Sequence, residues 1–271
     1  MCIPGAHLHC MYTRITFFLI RTEIVKDCNN GFTVKPVEEK IVGVIGGLGP
    51  EATVDLMRRV IEATPAKEDA DHIRMIVDNN PKIPSRIKAL IEGTGESPAP
   101  LMAEMARKLA AFGADFLVIP CNTVHFYYDD ICSAVDIPIL NMVDLTVQSI
   151  LKENPFVQTV GLLASEAVLV TKLYLKRFEE RGVKQNHPST QLQTRIMTAI
   201  RRIKTGKYEE EDRRVLQSAA EELMSRKAEV LIVACTELSI ISDSIDVAVP
   251  VYDASQVLAE GIVRIVKGDL L

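Results

Sequence analysis

Two cysteines stand in matching contexts. Ala114-Asp115-Phe116-Leu117-Val118-Ile119-Pro120-Cys121-Asn122-Thr123 parallels Ala228-Glu229-Val230-Leu231-Ile232-Val233-Ala234-Cys235-Thr236-Glu237. In each copy an apolar run of strand character delivers a cysteine to a polar turn. The thiolate is the active base and the thiol the acid. Two such groups on opposite sides of a substrate carbon can take a proton from one face and return one to the other. One must enter deprotonated and its partner protonated. A turn that opens a helix is expected to favour the thiolate at both positions. A free cysteine is ordinarily a small buried hydrophobe, but equivalent placement in two copies weighs against that for this pair. Cys132 has no counterpart and reads as filler in a helical stretch. Cys2, Cys10 and Cys28 precede the repeated region and receive no role.

Other chemistries compete. Cys121-x-x-x-His125 with Cys235 and Glu237 could in principle hold zinc, but no paired ligand motif of familiar spacing supports it, so no metal is expected. Gly46-Gly47-Leu48-Gly49-Pro50 precedes an apparent helix, Glu51–Glu62, and Gly47-x-Gly49-x-x-Ala52 formally fits the dinucleotide fingerprint. An NAD-dependent enzyme is therefore an open alternative. The acidic residue wanted about 20 positions on falls in the polar Lys67–Asp71 stretch, before the second strand. The same loop could instead cradle a substrate carboxylate with its amides, that of Gly47 included, or be a tight turn.

The elements that must position these residues follow from pattern. Continuous apolar runs at Ile41–Ile45, Ile73–Val77, Phe116–Ile119, Ile137–Leu140, Val160–Leu163, Val230–Ala234 and Val247–Val251 suit parallel strands covered on both faces. Helices are expected from Ser97-Pro98 to about Phe112, over Thr190–Lys204, over Glu209–Lys227 and over Ala254–Lys267. This alternation predicts an α/β fold. Val42-Gly43-Val44-Ile45 echoes Val160-Gly161-Leu162-Leu163, and Asp136-Ile137-Pro138-Ile139 echoes Val247-Ala248-Val249-Pro250-Val251 with the prolines one place out of register. Gly43 precedes Cys121 by 78 residues and Gly161 precedes Cys235 by 74. We read two copies of one α/β unit, related by a pseudo-two-fold axis, with a cleft between them at the carboxyl ends of the strands. Residues 41–142 with 254–271 are expected to form the first domain and 143–253 the second, the last helix crossing back.

At 271 residues the chain suits two modest domains. Its net charge of -5, with no basic run, argues against nucleic-acid binding. Six cysteines without a C-x-x-C pair fit a reduced, cytoplasmic compartment. No apolar run reaches the roughly 18–20 residues that span a bilayer, so no membrane association is expected. Residues 1–40 read as an extension outside the fold, disordered or loop-like, with Cys28–Gly31 and Val34-Lys35-Pro36 as loop. Ile15–Ile20 is too short for a convincing signal peptide.

Gly43 to Thr53, Asn79 to Arg86, Pro120 to His125 and Ala234 to Leu238 together resemble the signatures of the aspartate/glutamate racemase family, across about residues 41–265. Within it the chain is most similar to aspartate racemases. The resemblance implies two Rossmann-like domains, no pyridoxal phosphate or other cofactor, and Cys121 and Cys235 as the two bases. It implies that Arg86 and Lys204 meet substrate carboxylates, and that Asn122, Thr123 and Thr236 hold the α-carboxylate or amine. His125 and Glu237 are expected to support the two cysteine turns rather than react. A homodimer handling a small acidic amino acid, aspartate or glutamate, is the expected context. Ser85 departs from the family, whose members often carry Asp there. The bland reading of Arg86 and Lys204 is solvated surface charge. Open alternatives are an enzyme of the maleate isomerase or malonate decarboxylase type, and a non-catalytic two-lobed binding module.

Overall fold

The computed structural model describes residues 22–27, 31–36 and 39–268. The chain divides into two units, Met1–Glu39 and Lys40–Leu271. In the first, β1 (Thr22–Asp27) and β2 (Gly31–Pro36) pair antiparallel, with Thr22 opposite Pro36 and Asp27 opposite Gly31. The loop expected at Val34-Lys35-Pro36 is therefore strand. Thr33 and Val34 favour extended backbone, and the proline sits at the strand's end, where a missing donor is tolerated. Residues 28–30, with Cys28, lie outside the described residues, as do Cys2, Cys10 and Ile15–Ile20.

The second unit holds two parallel sheets. The first contains β3 (Val42–Gly46), β4 (Met75–Asn79), β5 (Phe116–Val118) and β6 (Ile139–Leu140), in the order β4-β3-β5-β6. The second contains β7 (Thr159–Ala164), β8 (Lys184–Asn186), β9 (Val230–Ala234) and β10 (Val251–Asp253), in the order β8-β7-β9-β10. Strand for strand the orders match, as duplication requires. The intervening helices are α1 (Pro50–Ala63), α2 (Ala99–Ala111), α3 (Tyr128–Cys132), α4 (Met142–Glu153), α5 (Glu166–Thr171), α6 (Leu173–Glu179), α7 (Thr190–Ile203), α8 (Glu210–Ser225), α9 (Thr236–Ser239) and α10 (Ala254–Lys267). Cys132 thus ends a helix, as its pattern suggests.

The repeat extends to single atoms. A Cβ on Gly43 would lie 2.5 Å from Leu117 and 2.9 Å from Ala114, with Leu109 next. On Gly161 it would lie 2.7 Å from Leu231, with Leu223 and Ala228 next. Each glycine therefore lets its helix, α2 or α8, close onto its sheet. The Asp115 carboxylate accepts from Ile41 N–H at 2.6 Å, and Glu229 accepts from Gln158 N–H at 2.7 Å. Leu117 N–H donates to Pro138 O at 2.8 Å and Leu231 N–H to Pro250 O at 2.9 Å. The two prolines are thus structurally equivalent, which corrects the one-place offset read from sequence.

Each sheet has a core on both faces. One face of the first sheet packs Met102, Met105 and Leu109 of α2, and its other face packs Leu56 and Val60 of α1 with Leu258 and Ile262 of α10. The second sheet packs Val147 and Ile150 of α4 with Tyr174 and Phe178 of α6 on one face, and α7 and α8 on the other. The helix after β6 thus covers the second sheet, and the helix after β10 covers the first.

One element differs from the pattern reading and two others escape it. The last strand begins only at Val251, because Pro250 has no N–H to give a ladder. Lys184-Gln185-Asn186 forms the edge strand β8 without any apolar signal. Residues 166–179 hold two helices split at Lys172, whose φ of 56° interrupts what a Val- and Leu-rich run disguises. No helix among the described residues is long and apolar enough to cross a membrane.

Candidate active site

The strands β5 and β9 occupy equivalent places in the two sheets, and the turns after them carry Cys121 and Cys235 to one cleft. Both cysteines are free and buried. The cleft is lined by both together with Arg86, Asn122, Thr123, Lys204 and Thr236, and also by Leu48, Ser85, Ile87, Ser165, Ile200 and Glu237. The structure thus assembles in one place every residue singled out for the site from sequence, Gly47 excepted.

The cradle read for Gly47 does not form. Its N–H donates to Thr53 Oγ1 at 2.9 Å in a buried bond, so it is not free for a ligand. Its φ is +92°, and a Cβ there would lie 2.3 Å from the Asn80 backbone. The glycine is required by the close approach of the chain after β4, which also removes the need for a dinucleotide to explain it. Its neighbour Leu48 borders the cleft instead, and its carbonyl accepts from Arg86 Nη2 at 2.9 Å. Arg86 Nη1 also donates to Pro84 O at 3.2 Å. These bonds fasten the half-buried guanidinium at the cleft wall rather than leaving it as a solvated surface charge.

On the Cys121 side, His125 fixes the turn. Its Nδ1 lies 2.9 Å from Cys121 O, and its Nε2 accepts Met142 N–H at 3.1 Å. The ring is therefore neutral, with the proton on Nδ1. Burial pushes its pKa down to about 4, against the opposing pull of the bond to Cys121. Both nitrogens are engaged, so the set of four ligands considered for zinc does not come together. Asn122 Oδ1 accepts from the buried Tyr174 hydroxyl at 2.6 Å, while its Nδ2 is buried without a partner. Thr123 Oγ1 lies 3.3 Å from Ser165 Oγ, joining the two lobes across the cleft.

The Cys235 side differs. Cys235 caps the single-turn helix α9, and its Sγ donates to Glu237 Oε2 at 3.2 Å. Glu237 Oε1 faces Lys204 Nζ at 3.6 Å. Burial pushes the Cys235 thiol well above the ordinary cysteine range; the Glu237 charge adds to this and Lys204 opposes it. This corrects the expectation that a helix-opening turn favours a thiolate at both positions: at Cys235 desolvation and a carboxylate outweigh one turn of helix. Glu237 bonds the thiol directly rather than only shaping the turn. Ser165 was not singled out from sequence. The repeat could have found it, since it stands where the first copy has Gly47.

The sequence profile of the Asp/Glu/hydantoin racemase family matches residues 45–262. The broad specificity amino-acid racemase RacX of Bacillus subtilis is 29% identical over 227 residues, which cover 82% of this chain and 96% of that protein. The aspartate racemase of Picrophilus torridus superposes with a TM-score of 0.75 at 28% identity, covering 84% of this chain and 94% of that one. Glutamate racemase of Francisella tularensis, at 18% identity and a TM-score of 0.59, shares the fold over 84% of this chain and 81% of its own. A duplicated α/β core, a cleft between the copies with a cysteine from each, and a profile match that includes both cysteines agree: the chain belongs to the Asp/Glu/hydantoin racemase family and is an amino-acid racemase, an isomerase by reaction class.

Proposed function

We propose that this racemase interconverts the enantiomers of a small acidic amino acid, aspartate first and glutamate second, by two-base proton transfer between Cys121 and Cys235 without a cofactor. The observation that carries the reading is the presence of both thiols in one cleft, each at the end of an equivalent strand. Cys235, held as a thiol by burial and by Glu237, is the resting acid, and the role of base in that direction falls to Cys121. The Cys121 thiolate takes the Cα proton from one face, and the electron pair left on Cα delocalises into the α-carboxylate. Cys235 S–H then delivers its proton to the other face. Asn122, with its unpartnered Nδ2, and the hydroxyls of Thr123 and Thr236 receive the carboxylate on which charge develops; each such donor is typically worth about 10²–10³ in rate.

Arg86 takes the side-chain carboxylate, for which its fork is suited. Lys204 contributes positive potential from beside Glu237. A broader substrate range has one observation in its favour: Leu48, Ile87 and Ile200 also line the cleft, and RacX is named for broad specificity.

Incubation of the protein with L-aspartate in deuterium oxide, without added cofactor, is expected to erase the Cα-proton signal by NMR and to generate D-aspartate. Cys121→Ala and Cys235→Ala should each lower racemisation by orders of magnitude, because the pair acts as a unit. Near-normal racemisation by either variant would overturn the two-base reading. Equal turnover of alanine and aspartate by the wild-type protein would overturn the acidic substrate alone.

A further inference from the structure

Behind the Cys235 turn lies a charged network that the chemistry above does not use. Arg59, on α1, and Asp253, at the end of β10, have side chains only 11% exposed, and Asp55 only 9%. Arg59 Nε donates to Asp55 Oδ2 at 2.6 Å, and its Nη2 lies 3.1 Å from Asp253 Oδ2. The same Nη2 donates to the carbonyl of Ser239 at 2.8 Å, and Nη1 to Gln256 Oε1 at 3.2 Å. Asp253 also accepts from the Ser239 hydroxyl at 2.6 Å, the Ser242 hydroxyl at 3.0 Å and Ser255 N–H at 2.8 Å.

The target of this network is α9, Thr236–Ser239. A helix of one turn gains too few internal bonds to hold itself, so its position must come from outside. Its first residues carry Thr236 and Glu237 into the cleft just after Cys235. Its last residue is the one that Arg59 and Asp253 grip from both backbone and side chain. Ser239 N–H in turn donates to Cys235 O at 3.1 Å. The arginine's part of the grip comes from the other lobe, since α1 packs on the first sheet while α9 follows β9 of the second and Asp253 ends β10 of that same sheet. The same α1 starts at the loop that brings Leu48 to the cleft wall.

We infer that Arg59, fixed between Asp55 and Asp253, is a positioning residue that holds α9 and thereby sets Cys235 and Glu237 in register with the first lobe. This rests on the two-thiol reading of the cleft. Its lever is geometric: four acceptors in different directions need a planar fork, which a lysine ammonium cannot supply. Arg59→Lys keeps the charge among the two carboxylates and loses the reach to Ser239.

The test compares Arg59→Lys and Arg59→Met with wild type in three measurements: kcat and KM on aspartate, thermal unfolding, and the rates at which iodoacetamide alkylates Cys235 and Cys121, read by peptide mass spectrometry. A displacement of about an ångström at a reacting group can cost about 10²-fold, so kcat in Arg59→Lys should fall at least about tenfold with KM changed by less than about threefold. With α9 loosened, Cys235 becomes less buried and should alkylate about fivefold faster relative to Cys121. An unchanged alkylation ratio in folded Arg59→Lys overturns the inference, whatever happens to turnover. So does a kcat within about twofold of wild type in a folded variant. If Arg59→Met fails to fold, Arg59→Lys carries the test alone. The underlying reading fails separately, if wild-type protein alkylated at both thiols still racemises.

Discussion

Neutral His125, buried between Cys121 O and Met142 N–H, should make the protein's stability fall in mild acid. In the unfolded chain a histidine takes up its proton near 6.5, whereas the folded environment pushes that pKa down to about 4. The unfolded state therefore binds the proton first as pH falls. The stabilisation is complete above about 6.5 and is lost between there and about 4. The gap corresponds to about 3 kcal/mol, of which about 2 kcal/mol is gone by pH 5. Urea unfolding of wild type and His125→Gln at pH 7 and pH 5 isolates this effect, because every other titrating group is shared and cancels in the double difference. His125→Gln should be less stable at pH 7, since the Cys121 carbonyl and the Met142 amide lose well-placed partners at about 1–3 kcal/mol each. It should then lose about 2 kcal/mol less than wild type on going to pH 5. Equal losses in the two proteins would refute a neutral, acid-resistant His125.

Two further outcomes follow from the cleft wall. Gly47→Ala forces a side chain onto a positive φ and against the Asn80 backbone, and should cost about 2–4 kcal/mol in urea unfolding; a cost below about 1 kcal/mol would show that the loop yields freely. Arg86→Ala should lower the preference for aspartate over alanine by about tenfold or more while Cα-proton exchange persists. An unchanged preference in competition assays would remove Arg86 from side-chain recognition.

The duplication was legible because both copies keep the same residues where packing is tightest. Gly43 and Gly161 each face a leucine and an alanine that leave no room for a methyl group, so sequence and structure carry the same constraint. The cysteine turns were legible for a similar reason. What sequence could not give is the destination of a polar group. Gly47 advertises a special backbone, but only the fold reveals that its N–H is taken by Thr53. Glu237 looks like a helix-turn acid until its carboxylate is found on the Cys235 thiol. Arg59 meets the Ser239 carbonyl across 180 residues of chain, a contact with no local signature. The edge strand β8 escapes notice because Lys184, Gln185 and Asn186 lack the alternation that marks a half-buried strand.

A strictly symmetric pair of copies would give both thiols the same protonation state, and two-base inversion requires opposite ones. The sequence breaks the symmetry beside each cysteine, and the difference that brings a charge lies two residues on, where the first copy has Thr123 and the second Glu237. The hydroxyl of Thr123 brings no charge to Cys121. The carboxylate of Glu237 holds a proton on Cys235 and raises the cost of losing it. Lys204 tempers that cost from the far side of Glu237, and its side chain is 34% exposed. Thiol, carboxylate and ammonium thus form a line from the buried sulfur towards water. On the two-thiol reading, a turnover leaves Cys235 deprotonated beside an anion, the least favourable state of the pair. The same line of groups then gives the thiol a path to recover its proton before the next substrate binds. On that reading, duplication placed the two bases, and the carboxylate that divergence brought to the second turn assigned one of them the resting proton.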